Sequence, residues 1–153
     1  MFGLTLQTDL GTVRADFEKA DKSKETTAAL YNSLKDYKKS NPVLLAYKGA
    51  SATLQARYIA DQKAKKKLVI EGIKELEAAV KSSPDNTEIR LVRLIIQENS
   101  PKILKYKMNM GEDKQMILAN FASQHREVKE MIKRYATKRS KFFTAAELNK
   151  LSD

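Results

Sequence analysis

Val69, Gly72, Ile73, Leu76 and Val80 recur at i, i+3, i+4, i+7 and i+11, the spacing of one face of an α-helix. A strand cannot use that spacing, because its successive side chains point to opposite faces. The pattern predicts a helix over about 65–82, and weaker copies of it recur along the chain. Val13, Phe17 and Ala20 give a helix over about 10–22, and Leu30, Leu34 and Tyr37 one over about 25–39. Ser40-Asn41-Pro42 ends the second, because a residue before proline is pushed out of the helical region. A third helix runs from Pro42 to about Ala60, with Tyr47, Ser51, Leu54 and Tyr58 on one face. Its run Gly49-Ala50-Ser51-Ala52 is small enough to let another helix approach closely. Asp61 to Lys67 is polar and basic, and reads as a loop or as the solvated first turn of the fourth helix.

Ser82 to Asn86 reads as a turn, with Asp85 or Asn86 as the cap of a fifth helix over about 86–99. Lys102 to Tyr106 adds at most one turn, and Lys107 to Gly111 reads as a loop. From Glu112 the periodic apolar residues resume through Ile117, Leu118 and Phe121, then Val128, Met131, Ile132 and Tyr135, with a break near 122–124. Thr144-Ala145-Ala146-Glu147 fits a capping box before a short last helix. Gly (5) and Pro (3) are scarce and period-two runs are few, so an all-α fold of antiparallel helix pairs, about six to eight helices, is expected. A chain of 153 residues is the size of one ordinary domain. The expected layout is a single helical domain over 1–153, with a tail at 1–9, a core at 42–99 and C-terminal helices at 112–151.

Residues 42–99 also carry a resemblance. Gly72, Leu76, Ala79 and Pro84 have the spacing of the second helix of a tetratricopeptide repeat, and Ala46, Tyr47, Ala50, Ser51 and Leu54 are similar to its first helix. The likeness covers about one repeat. Between Ser51 and Gly72 there are about nine more residues than the repeat allows, and Arg90 stands where a large apolar residue is usual. The layout also resembles small, usually exported bacterial proteins with a tetratricopeptide-like core. The resemblance implies helix pairs stacked into a curved layer that binds peptides or proteins, with no catalysis. Each such unit buries its apolar face only against its neighbours.

The helix Glu88 to Gln97 is apolar on nearly every side, yet Arg90, Arg93 and Gln97 form a polar stripe at i, i+3 and i+7. An arginine keeps its charge, so burying it unpaired is costly. Three answers are open. The stripe pairs with an internal carboxylate (Glu71, Glu75, Glu88 or Asp113), it snorkels to water, or it holds a partner's carboxylate or phosphate. On the last, the candidate binding residues are Arg90, Arg93 and Gln97, with Lys48 and Gln55 from the neighbouring helix.

Net charge is +10, from 29 basic and 19 acidic residues, which fits either a lysine-rich solvated surface or an acidic partner. The basic residues concentrate at 123–141, where Arg126, Lys129, Lys133, Arg134, Lys138, Arg139 and Lys141 face only Glu127 and Glu130. Such a helix covers a core with its apolar side, or lies on nucleic acid or an anionic surface. A protein or peptide partner, acidic in character, is the first expectation and nucleic acid the second. No membrane span is expected, since no long apolar run exists.

Cysteine is absent and the one histidine, His125, extends the Phe121–Val128 stripe and is expected at the core edge. A lone histidine without cysteine gives no zinc site. No phosphate loop, zinc-protease motif or nucleophile elbow is present, so neither catalysis, metal nor cofactor is expected. The opening Met-Phe-Gly-Leu-Thr-Leu-Gln-Thr lacks a basic start and reads as a tail or as the stump of a leader. A leader upstream of Met1 places the protein outside the cytoplasm; without one it is cytoplasmic.

Overall fold

Polar side chains at the ends of apolar stripes set where the helices begin. In the computed structural model, which describes residues 9–152, Asp9 accepts hydrogen bonds from the amides of Gly11 and Thr12 and opens α1 (Leu10–Ala20). Ser23 caps α2 (Lys24–Leu34), and Asn41 caps α3 (Pro42–Ala56), with proline in its first turn. Asp61 accepts from the amide of Ala64 at 2.8 Å as α4 (Gln62–Ser82) begins. Asn86 caps α5 (Thr87–Asn99). After a 3-10 turn at Lys102–Leu104 come α6 (Met110–Asn120), a 3-10 turn at Phe121–Ser123, α7 (Arg126–Lys138) and α8 (Ala145–Asn149). Thr144 and Glu147 form the expected capping box at α8. Each such cap satisfies amides that the helix itself leaves open.

The fold is all-α: eight α-helices and no strand among the described residues. None of these helices is long and apolar enough to cross a membrane. The expected tail falls almost wholly on residues 1–8, outside the described residues. The chain divides into two compact units, one ending at Ser82 and the other starting at Ser83.

In the first unit α1 packs on α2 and α3, and α3 packs along α4. Val13, Phe17 and Ala20 are buried as their spacing requires, and the Phe17 ring meets Tyr47 edge-on at 5.2 Å between centroids. Leu30, Leu34, Tyr47, Ser51 and Leu54 are buried too. The expected stripes overrun the helices, however. α2 ends at Leu34 and α3 at Ala56, so Tyr37 is only half-buried and Tyr58 is exposed. Gly49 and Gly72 bring the α3 and α4 backbones together. A Cβ on Gly49 would lie 2.5 Å from the Gly72 carbonyl oxygen, and one on Gly72 would lie 2.7 Å from that of Gly49. Glycine is therefore required at both positions for steric reasons.

In the second unit α5 is buried on almost every side, and α6 packs against it. Ile117, Phe121, Val128, Met131, Ile132 and Tyr135 are buried. His125 is exposed, contrary to expectation. Gln124 and His125 are both extended (ψ 155° in each), so the break between helices rotates His125 off the Phe121–Val128 line.

Candidate functional site

The polar stripe of α5 meets the first turn of α6. The side chain of Asp113 is fully buried (0% exposed) and accepts from Arg93 through two bonds, Nε to Oδ2 at 2.8 Å and Nη2 to Oδ1 at 2.8 Å. Arg90 Nη1 donates to the same Oδ1 at 3.0 Å and to Glu112 Oε1 at 2.7 Å, while its Nε donates to the Pro84 carbonyl at 2.9 Å. Burial works against the Arg90 charge, but the hydrogen bonds to Glu112 and Asp113 outweigh it and hold its pKa above the usual value. The Arg90 hydrogen bond keeps the Glu112 carboxyl below the usual range. Carboxylates suit a helix N-terminus, where the dipole is positive. Gln97 completes the stripe: its Nε2 donates to Asn109 Oδ1 and its Oε1 accepts from the Asn109 amide, each at 3.0 Å. Arg90, Arg93 and Gln97 thus engage Asn109, Glu112 and Asp113 along the first turn of α6. Asp113 is one of the four acidic candidates that the sequence offers. Asn109 and Glu112 are additions from the structure, although both flank Asp113 at the start of a helix.

Lys48 and Gln55 lie in the first unit, apart from that cluster in the chain's division. Lys48 Nζ donates to the Tyr37 carbonyl at 2.9 Å and stands 3.5 Å from Glu75 Oε1. It helps line a groove of about 100 Å³ with Tyr31, Lys35, Leu68, Glu71 and Glu75. Gln55 follows Lys48 and Ala52 at helical spacing, and its buried Oε1 has no hydrogen-bond partner.

Two charged surfaces differ in how free they are. On α7, the Lys129 ammonium lies 5.7 Å from the centre of the Phe121 ring, and Lys133, Arg134 and Arg139 also have intramolecular partners. Arg126 and Lys138 are exposed. This helix buries Val128, Met131, Ile132, Tyr135 and Ala136. Below it, Glu98 accepts from the Tyr135 hydroxyl, from Ser140 Oγ at 2.8 Å and from the Lys141 amide at 3.0 Å. Burial and the Glu98 charge push the Tyr135 hydroxyl far above its usual pKa.

On α4 the situation is reversed. The stretch 61–67 is the solvated start of a helix, which settles the choice left open by its composition. No residue of 62–71 is buried. Lys63, Lys66, Lys67, Lys74 and Lys81 are exposed around Ile70, and their side chains make no ion pair among the described residues. They run for about 27 Å along one side of the helix. Helical spacing carries this signal, but it emerges only once 61–67 is known to be helical. Comparison with family models, curated proteins and solved structures finds no match to this chain.

Proposed function

We propose that this chain is a non-catalytic binding module that recognises an acidic, partly apolar segment of another protein through α4 and the groove beside it. One observation carries this. The first half of α4 presents Lys63, Lys66 and Lys67 unpaired around Ile70, which is 55% exposed, on a stretch that contributes no buried residue. Protein interfaces take this form, an apolar centre with a polar, charged rim. Partner glutamates would meet the lysines, and a partner aliphatic side chain would cover Ile70. Lys35 at the groove is exposed and offers a further cation. We take α3 and α4 as a tetratricopeptide-like pair. The Gly49–Gly72 approach, burial of Leu76 and Ala79, and Pro84 just past α4 support this. Arg90, Arg93 and Gln97 act instead as the fastening between α5 and α6.

The test is an anisotropy titration with a labelled Glu/Leu-rich peptide. Native protein is expected to bind saturably, and Lys63→Glu/Lys66→Glu/Lys67→Glu to bind at least about tenfold more weakly, a loss of about 1.4 kcal/mol. Equal affinity for the triple variant would overturn the proposal. Nucleic acid is a second reading, favoured by the alignment of Lys63, Lys67, Lys74 and Lys81 along one line. It predicts a logarithmic salt slope of about 0.9 per neutralised phosphate. A duplex that displaces the peptide at physiological salt would promote it to first place.

A further inference from the structure

We infer that the loop between α5 and α6, in the second unit, is a docking tip for an anionic lipid bilayer. Ile103 is 87% exposed, Met108 72% and Leu104 42%, three of the five large apolar side chains that stand exposed among the described residues. They sit within seven residues of one another in Ser100-Pro-Lys-Ile-Leu-Lys-Tyr-Lys-Met-Asn-Met-Gly111, a stretch with three lysines and no acid. The nearest acids on either side are already engaged. Glu98 serves Tyr135, Ser140 and Lys141, and Glu112 serves Arg90. Lys102 and Lys105 are exposed and make no ion pair among the described residues, so the field around the loop is positive.

The base of the loop is held firmly while its tip is not covered. Tyr106 is buried. Lys107 Nζ donates to the carbonyls of Gln97 and Glu98 at 2.9 Å each, closing the end of α5. Gln97 grips Asn109 from both sides. Between these anchors the 3-10 turn at Lys102–Leu104 ends on Lys105 in the left-handed conformation (φ 51°). The apolar residues are therefore displayed by a built support and not by a loose strand of chain. A side chain that is 87% exposed protrudes, and a rigid protein partner would need a matching pocket to cover it. A fluid bilayer needs none: the aliphatic side chains enter the acyl boundary while Lys102 and Lys105 meet lipid phosphates. This proposal stands apart from the α4 surface and does not depend on it.

The chain has no tryptophan, so Ile103→Trp gives a single reporter. In vesicles containing phosphatidylglycerol, its emission is expected to shift to the blue and to be quenched by brominated acyl chains. Neither change is expected with vesicles of phosphatidylcholine alone. In co-sedimentation with the anionic vesicles, Ile103→Ser/Leu104→Ser/Met108→Ser is expected to lose at least about tenfold in partitioning, since each side chain buried contributes a severalfold factor. Lys102→Gln/Lys105→Asn is expected to lose a similar amount, about fivefold per lysine near an anionic surface. All these side chains are exposed, so circular dichroism should match the native protein. Lys63→Glu/Lys66→Glu/Lys67→Glu serves as the control and should retain most of its vesicle binding. An unshifted emission from the Ile103→Trp variant, equal binding to neutral vesicles, or native partitioning of the apolar triple variant would each overturn the proposal.

Discussion

Asp113→Ala removes the one fully buried carboxylate on which Arg90 and Arg93 converge. Three hydrogen bonds of 2.8 to 3.0 Å vanish with it. Neither guanidinium can shed its proton to escape the interior. Arg90 keeps the Pro84 carbonyl and Glu112, whereas Arg93, whose side chain is 4% exposed, loses both of its bonds to Asp113. Breaking a buried pair in this way costs about 3–5 kcal/mol, a large share of a total stability of about 5–15 kcal/mol. Glu112→Gln is the comparison. Its contact with Arg90 is shorter, 2.7 Å against 3.0 Å, but the Glu112 side chain is 63% exposed. Solvent screening limits that pair to under about 1 kcal/mol. If burial and not distance sets the energy, Asp113→Ala is several times the more damaging. Urea unfolding followed by far-ultraviolet circular dichroism measures both, with the slopes compared to guard against a change in the unfolded state. Asp113→Leu combined with Arg93→Met should recover much of the loss, because apolar residues of similar volume can replace a buried pair. A cost below about 1 kcal/mol for Asp113→Ala, the value of a solvated surface pair, would refute the burial argument.

Four other perturbations have defined outcomes. Gly49→Ala should destabilise the first unit by about 1–3 kcal/mol through forced separation of α3 and α4, whereas Gly111→Ala, with open space around its Cβ, should stabilise α6 by up to about 1 kcal/mol in thermal melts. The amide of Thr144 and then the Lys114 ammonium pull the Glu147 carboxyl down to about 2 from its usual 4.5. A depressed carboxylate stabilises above its unfolded pKa, so this contribution should be intact at neutral pH and fade between about 4.5 and 2. Glu147→Gln should flatten the acid limb of a pH–stability profile there. Tyr135, held neutral on the buried side of α7, contributes stability below pH 10, its usual pKa, that erodes above it. Alkaline difference spectra should show Tyr135 ionising late, and Tyr135→Phe should diminish the late step by one tyrosine.

Helix periodicity exposes most of this fold because each helix carries its own evidence. The buried faces of α1 and α2, the cap at Asn86, the capping box at Thr144 and the break between α6 and α7 are all local patterns. Periodicity says less about where a helix stops, so it assigns Tyr37 and Tyr58 to faces that α2 and α3 do not reach. The same limit misplaces His125, whose position depends on two extended residues rather than on spacing. The arginine stripe of α5 announces a need for carboxylates, but which ones depends on tertiary contact with α6. The free lysines of α4 and the loop at 101–108 are harder to see. A charged or apolar residue in a polar stretch shows its significance only when its neighbours are known to be occupied, as Glu98 and Glu112 are.

One carboxylate shared by two guanidinium groups also restricts how this chain can change over evolutionary time. A substitution at position 113 alone takes a shared carboxylate from two cations at once, and a substitution at 93 alone leaves an anion half-answered in the interior. Apolar replacements at 90, 93 and 113 would be tolerated together far better than in any single step. Related chains should therefore keep all three residues or lose them as a group, and intermediates bearing one change should be rare.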